Sequence, residues 1–418
     1  MTMKIIQINA VYKFASTGRT TMEMHEYCLQ HGIESHVFCP NMSDEEHNIY
    51  IIGSKLDHKL HALWSRVFGK QAFFSQCATR KMLKKIDKIQ PDVVILRNLH
   101  GNYVNLPMLL KYLAKNDIAT IVVMHDCWFF TGHCTYYFSI KCDKWQTECK
   151  NCMMMKEDNI SLFFDTSTFM FRNKKRLFDA IPRLGVIGVS DWITKEAEKS
   201  AILSNAKIYQ RIYNWIDLKK FYPRDTTRLK EKLGIKDEFV ILGVATCWNE
   251  NKGLSHFVSL AKELPDIKVI LVGKAETDIP EIDNFKCVGR TANVDELAEY
   301  YSLADTLLVC SPQETFGKVS AEALACGTPV ISNDRTANPE VAGTECGIIT
   351  HDNDDKEILA AVNKIRELGK SYYSARCIER AKTNFLSTSQ IEKYIEVARQ
   401  LLQLSLIHIS EPTRRRGI

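Results

Sequence analysis

Two glutamates, Glu314 and Glu322, stand eight positions apart in the stretch Ser311–Pro329, SPQETFGKVSAEALACGTP. Between them Phe316-Gly317-Lys318 leads into a helical pattern, Val319–Ala325. A helix start offers backbone N–H groups and a partial positive charge, which suits a phosphate. A carboxylate in the same place is unfavourable unless it has hydroxyls to accept from. The pair therefore fits a ligand that carries both phosphate and hydroxyls, such as a sugar nucleotide. Read locally, the spacing fits equally well a Glu314 that favours the helix dipole and a Glu322 on a solvated face.

Other residues invite chemistry too. His125-Asp126 follows the apolar run Ile118–Met124, and a histidine at the carboxyl end of a buried strand faces the ligand crevice of an open sheet. The alternative is a structural His125 paired with Asp126. Gly18 and Arg19 close the segment Ala10–Arg19 before a helix expected near Thr20. There Gly18 would let backbone approach a ligand and Arg19 could reach a phosphate, or the two are a turn glycine and a surface arginine. Cys134, Cys142, Cys149 and Cys152 lie in a weakly periodic insert, 127–152, and end in a C-x2-C. Four thiolates could form a closed structural zinc tetrahedron, with free thiols as the alternative. A catalytic zinc is not expected.

The elements that must hold these residues alternate. Apolar strands are expected at Lys4–Asn9, Ile33–Cys39, Val93–Leu96, Ile118–Met124 and Leu184–Ser190, and again at Phe239–Ala245, Lys268–Gly273, Phe285–Gly289, Thr306–Cys310 and Pro329–Ser332. Helical patterns separate many of them, so the fold class is α/β with parallel sheets. Cys326-Gly327-Thr328-Pro329 ends the helix of the opening motif, since Gly suits the left-handed cap and Pro cannot continue a helix. The first strand lacks a following G-x-G-x-x-G, which speaks against a nicotinamide dehydrogenase.

The chain has 418 residues, too many for one ordinary domain. Charged residues make up 25% and hydrophobic ones 45%, as in ordinary globular chains. No apolar run approaches the ~20 residues that span a bilayer, and the N-terminus reads as a strand and not as a secretory signal. A cytoplasmic, reducing location is expected, so the 14 cysteines are read as thiols and not as disulfides. The net charge of +5 allows contact with an anionic membrane but asks for no nucleic acid. Two basic, aromatic stretches, Lys55–Ile89 and Phe163–Leu184, are either membrane-facing surfaces or solvated helix faces.

The E-x7-E arrangement, with FG inside it and A-x-G-x-P-V after it, resembles the nucleotide-sugar signature of retaining glycosyltransferases of family 4. The opening INAVYKFASTGR, the NLHG segment and the cysteine-rich insert resemble those of bacterial capsule and exopolysaccharide glycosyltransferases, although Arg97 stands where such relatives usually have His. The resemblance reaches to about Leu404. It implies the GT-B fold: two facing Rossmann-like domains, 1–195 on the acceptor side and 223–386 on the donor side, with an interdomain cleft. It also implies a hinge at 196–222, carrying Asn214–Asp217, and a helix, 387–404, that returns to the first domain.

It implies roles as well. Glu322 would accept from ribose hydroxyls. Glu314 would accept from the donor sugar and steady positive charge at the anomeric carbon. Lys252 and the Phe316, Gly317, Lys318 and Val319 backbone would hold the diphosphate, with Arg19 as a further cation, because Cys247 replaces an arginine common in the family. Gly289 would sit at the base, and His125 at the donor sugar or the acceptor hydroxyl. The donor would be a UDP- or GDP-sugar, with no cofactor required for catalysis. The acceptor would be a glycan or polyprenyl-linked oligosaccharide at the inner face of the cytoplasmic membrane. Another GT-B enzyme (a nucleotide-sugar epimerase or an inverting transferase) and a non-catalytic polysaccharide-assembly partner are the alternatives. The last stretch, 405–418, reads as foreign to the fold because Pro412 and three arginines break the helical pattern.

Overall fold

The computed structural model describes residues 2–41, 46–276 and 279–410, the last six as backbone only. Met1–Ile212, with the chain from Ile391 onward, forms one compact unit, and Tyr213–Gln390 forms the other.

Among the described residues the first unit holds a seven-stranded parallel sheet. Its strands are β1 (Lys4–Ile8), β2 (Glu34–Cys39), β3 (Ile49–Ile51), β4 (Val93–Leu96), β5 (Ala119–Met124), β6 (Leu184–Gly188) and β7 (Ile208–Arg211), in the order β3-β2-β1-β4-β5-β6-β7. The second holds six parallel strands: β8 (Phe239–Trp248), β9 (Ile267–Ala275), β10 (Phe285–Cys287), β11 (Thr306–Val309), β12 (Val330–Asn333) and β13 (Gly347–Thr350), in the order β10-β9-β8-β11-β12-β13. Runs such as VVIL and TLLV are buried along their whole length because helices cover both faces of the sheet.

Strand order reverses between β1 and β4 in the first sheet and between β8 and β11 in the second. Loops that leave such adjacent strands in opposite directions open a crevice at their carboxyl ends. The loops after β8 and β11 carry Lys252 and Glu314. The loop after β4 carries Arg97–Gly101.

Three expectations are corrected here. The first helix starts at Ala15, not near Thr20, so Gly18 and Arg19 lie inside it. Gly18 packs tightly: a β-carbon there would stand 3.3 Å from the Tyr12 and Lys13 backbone, and the Gly18 carbonyl accepts the Lys13 N–H. The edge strands β3 and β13 escape the apolar-run reading because they are only partly buried. The terminal helix, Ser387–Ser410, runs six residues beyond Leu404. SLIHIS contains neither Gly nor Pro, so nothing in it stops a helix. The rest of the presumed foreign tail, 411–418, lies outside the described residues.

Candidate functional site

In the second unit the site grows from two glycines. Gly253 (φ 73°) follows Lys252 and caps the helix Leu254–Glu263. Its backbone is left-handed, and a β-carbon would overlap the Cys310 β-carbon. Only glycine lets the two loops press together this closely. Gly317 (φ 80°) opens the helix Lys318–Ala325, and no side chain caps that start. The consequence is contact across the switch point: the Lys252 ammonium donates to Glu314 Oε1 at 2.7 Å and to Ser311 Oγ at 3.2 Å.

Asparagines fix the strand end behind this pair. Asn333 and Asn338 both donate to the Ser311 carbonyl, at 3.0 and 2.9 Å, and Asn353 donates to the Cys310 carbonyl at 2.7 Å. The Glu314 N–H donates to Thr336 Oγ1 at 2.9 Å, and the Glu314 carbonyl accepts from the Ala337 N–H. Thr336 has φ 54°, a costly conformation for a β-branched residue and one that clusters at functional sites. None of these four side chains was singled out from the sequence. Asparagine and threonine are so common in loops that only the β12 and β13 strand ends could have drawn attention to them.

A cavity of about 400 Å³ lies against this corner, its walls including Cys247, Asn251, Lys252, Glu314, Lys318 and Val319. Its size is that of a small-ligand site. Glu322 and Phe316 are buried elsewhere. Glu322 accepts from the Tyr301 hydroxyl at 2.9 Å, and Phe316 packs on Tyr213 and Phe385. Gly289 has φ 73° with open space where a β-carbon would stand.

In the first unit Arg97 is fully buried. It donates to Gln7 Oε1 and to His125 Nε2, each at 3.1 Å, and lies 5.6 Å from the Tyr394 ring centre. An arginine has no proton acceptor, so His125 must accept at Nε2 and carry its own proton on Nδ1. A second pair lies beside it. His100 Nε2 meets Asp126 Oδ2 at 2.8 Å. Asp126 also accepts from Asn98 at 2.8 Å and from the Trp128 N–H at 2.9 Å. Burial opposes charge on His100, but the facing Asp126 outweighs it and raises the histidine pKa. Burial likewise opposes the Asp126 charge, and His100 with the Trp128 N–H outweighs it and lowers the aspartate pKa. His100 borders a cavity of about 270 Å³ whose walls include Arg66, Gln71, Asn102 and Asn159. The sequence hinted at His100 only through the NLHG segment.

The structure does not show the zinc tetrahedron that is one of the two readings of the cysteines. Among the described residues no group of three or more His, Cys, Asp or Glu side chains could hold a metal ion. Cys149 accepts the Gly132 N–H at 3.2 Å. Hydrogen bonds staple the insert instead. Asp158 accepts from the Thr135 N–H and hydroxyl, at 2.5 and 2.7 Å. The buried Lys174 ammonium donates to the Trp128 and Thr131 carbonyls, at 2.6 and 3.1 Å, and stands 3.5 Å from the Trp128 ring centre. Burial pushes the Lys174 pKa down to about 7.

Solved structures share this architecture. Sucrose-phosphate synthase from Thermosynechococcus elongatus superposes with a TM-score of 0.69 at 17% identity, covering 96% of this chain and 100% of that one. Anabaena Alr3699/HepE in complex with UDP-glucose gives 0.62 at 16% identity, covering 96% and 99%. The chain has the GT-B fold. Within it, residues 17–150 match the family model for Glycosyltransferase Family 4, and residues 225–384 match the model for Glycosyl transferases group 1. The GT-B chain is also 30% identical, over 154 residues, to N-acetyl-alpha-D-glucosaminyl L-malate synthase of Bacillus anthracis. That match covers 34% of this chain and spans 40% of the relative's length.

Proposed function

We propose that this protein is a glycosyltransferase that moves a sugar from a nucleotide-sugar donor to a glycan or lipid-linked oligosaccharide, with retention at the anomeric carbon. The observation that carries the reading is the Lys252–Glu314 pair on the wall of the 400 Å³ cavity, next to an uncapped helix start. Lys252 serves the donor diphosphate, and the backbone at Lys318 and Val319 adds the helix-start charge. As the bond to the departing diphosphate lengthens, negative charge grows where these donors already stand, and most of the rate gain comes from there. When the diphosphate draws Lys252 away, Glu314 is released to accept sugar hydroxyls and to face the positive anomeric carbon. Glu322 and Gly289 are assigned to the ribose and the base, by resemblance to the family signature.

The donor is a UDP- or GDP-sugar; UDP-glucose in the HepE complex supports the first. Polysaccharide assembly at the inner membrane face is the pathway this reading favours. His125 is assigned to the substrate sugars, as the resemblance implies.

A second reading has its own support. A histidine held by a buried aspartate, as His100 is by Asp126, could take the proton from an acceptor hydroxyl in an inverting transfer. One experiment separates the two. Purified protein is given UDP-, GDP- and ADP-sugars with candidate acceptors, and the product anomer is read by NMR. The proposal expects retention, and about a 100-fold loss of turnover in Lys252→Ala and in Glu314→Gln. Near-normal turnover in both variants sinks the site assignment, and an inverted product sinks the mechanism.

A further inference from the structure

The helix Lys55–Phe68 is inside out. Its buried positions are polar, His61 and Ser65, and His61 bonds to the Ser75 hydroxyl at 2.7 Å. Its apolar stripe faces solvent: Leu56, Leu60, Leu63, Trp64 and Phe68 recur at helical spacing and are all exposed, Leu56 by 65%. A second apolar ridge runs beside it. The Leu162 N–H donates to the Arg66 carbonyl at 2.7 Å, and Thr166 donates to the Gly69 carbonyl, which fixes the 160–169 segment along the end of the helix. On that segment Leu162, Phe163, Phe164 and Phe169 are exposed, Phe163 by 69%. Contiguous apolar surface of this kind marks a partner, because water is a poor neighbour for it at roughly 25 cal/mol per Å².

Charge tells which partner. Lys55, Lys59 and Arg66 are exposed along the same helix, and the Lys70 ammonium sits 4.7 Å from the Phe169 ring centre. The neighbouring acids face their own backbone. Asp57 accepts from the Ser54 N–H and hydroxyl, and Asp165 accepts from the Cys152 and Ser167 N–H groups. Glu157 is exposed at the edge of the polar cavity. Aromatic and aliphatic side chains ringed by cations suit the headgroup region of an anionic bilayer. No described helix is long and apolar enough to cross one, so the contact is a lateral one.

We propose that the outward face of the helix Lys55–Phe68 and the 160–169 ridge seat this protein on an anionic lipid surface. The cavity bordered by His100 takes walls from both ridges, Ser65 and Arg66 on one side and Asn159 and Ile160 on the other. On a bilayer, that polar pocket sits at headgroup level, where it suits the saccharide of a lipid-carried acceptor. This last step rests on the transferase reading; the docking itself does not.

The test is sedimentation of the full chain with vesicles of phosphatidylcholine, with and without phosphatidylglycerol. Wild-type protein should prefer the anionic vesicles, and Lys55→Gln/Lys59→Gln should weaken that binding about 30-fold, at ~1 kcal/mol per lost cation. Phe163→Ser/Phe164→Ser should weaken binding to both vesicle types, while cleavage of a nucleotide-sugar in vesicle-free buffer stays unchanged. Failure of the wild-type chain to sediment, or equal sedimentation of all three proteins, overturns the docking proposal. So does a dimer in light scattering that the phenylalanine variant abolishes, since a second copy would then cover the face. Vesicle binding without any donor cleavage would instead count against the transferase reading.

Discussion

At the scale of single residues, three clusters of charged groups show how burial and a partner together set a role. Lys252 and Glu314 sit at a cavity wall and face each other, so each offsets the charge of the other. Arg97 is enclosed by Gln7, His125 and the Tyr394 ring, and its work is to orient the His125 ring. His100 and Asp126 form the third case, and their pair carries a pH dependence. The His100 pKa is raised above its usual 6.5, so its contribution to stability is full below pH 6.5 and is lost as pH rises through the folded value. The Asp126 pKa is lowered below its usual 3.8, so its contribution is full above pH 3.8 and is lost as pH falls through the folded value. Chemical denaturation of His100→Gln should therefore show a loss of about 1–3 kcal/mol near pH 6 that shrinks at alkaline pH. A gap that does not change with pH would show that the pair is not ionised.

At the scale of elements, the site depends on loops pressed together at a strand-order reversal. Gly253→Ala is the sharpest probe. It adds a β-carbon that overlaps Cys310 and places alanine at φ 73°. The expected cost is about 2 kcal/mol or more in urea denaturation, with weakened donor binding because Lys252 is adjacent. An unchanged midpoint would mean that the loops are not packed as described. Much of this level was legible in the sequence. Buried parallel strands are continuous apolar runs, so VVIL, ATIVVM and TLLV could be read directly, and Glu314 and Lys252 could be placed on the loops that follow strands. The start of the first helix was not legible. Ala15–Gly18 carries no capping signal, and its Gly and Ser residues read as loop. The reversed helix Lys55–Phe68 was legible only as one of two readings, because a helical period locates a stripe without saying which side of it faces water.

At the scale of the whole molecule, two parallel-sheet units repeat one plan, and the insert between β5 and β6 departs from it. Its cysteines suggested a metal because C-x2-C is a frequent half-site. What spacing could not show is that Asp158 and Lys174, outside the motif, supply the hydrogen bonds that hold the insert. Treatment with a strong zinc chelator should leave the melting temperature of the purified protein unchanged, whereas Lys174→Met should lower it. A large fall on chelation would restore the metal site.

The central claim is that Lys252 waits for a diphosphate. It is tested most directly by calorimetric titration of UDP- and GDP-sugars into the wild-type protein and into Lys252→Ala. One of these donors should bind the wild-type protein, and the variant should bind it about 100-fold more weakly, the loss expected for a charge-assisted contact of ~2.7 kcal/mol. Equal affinity in the two proteins, or binding of neither donor by the wild type, would contradict the account.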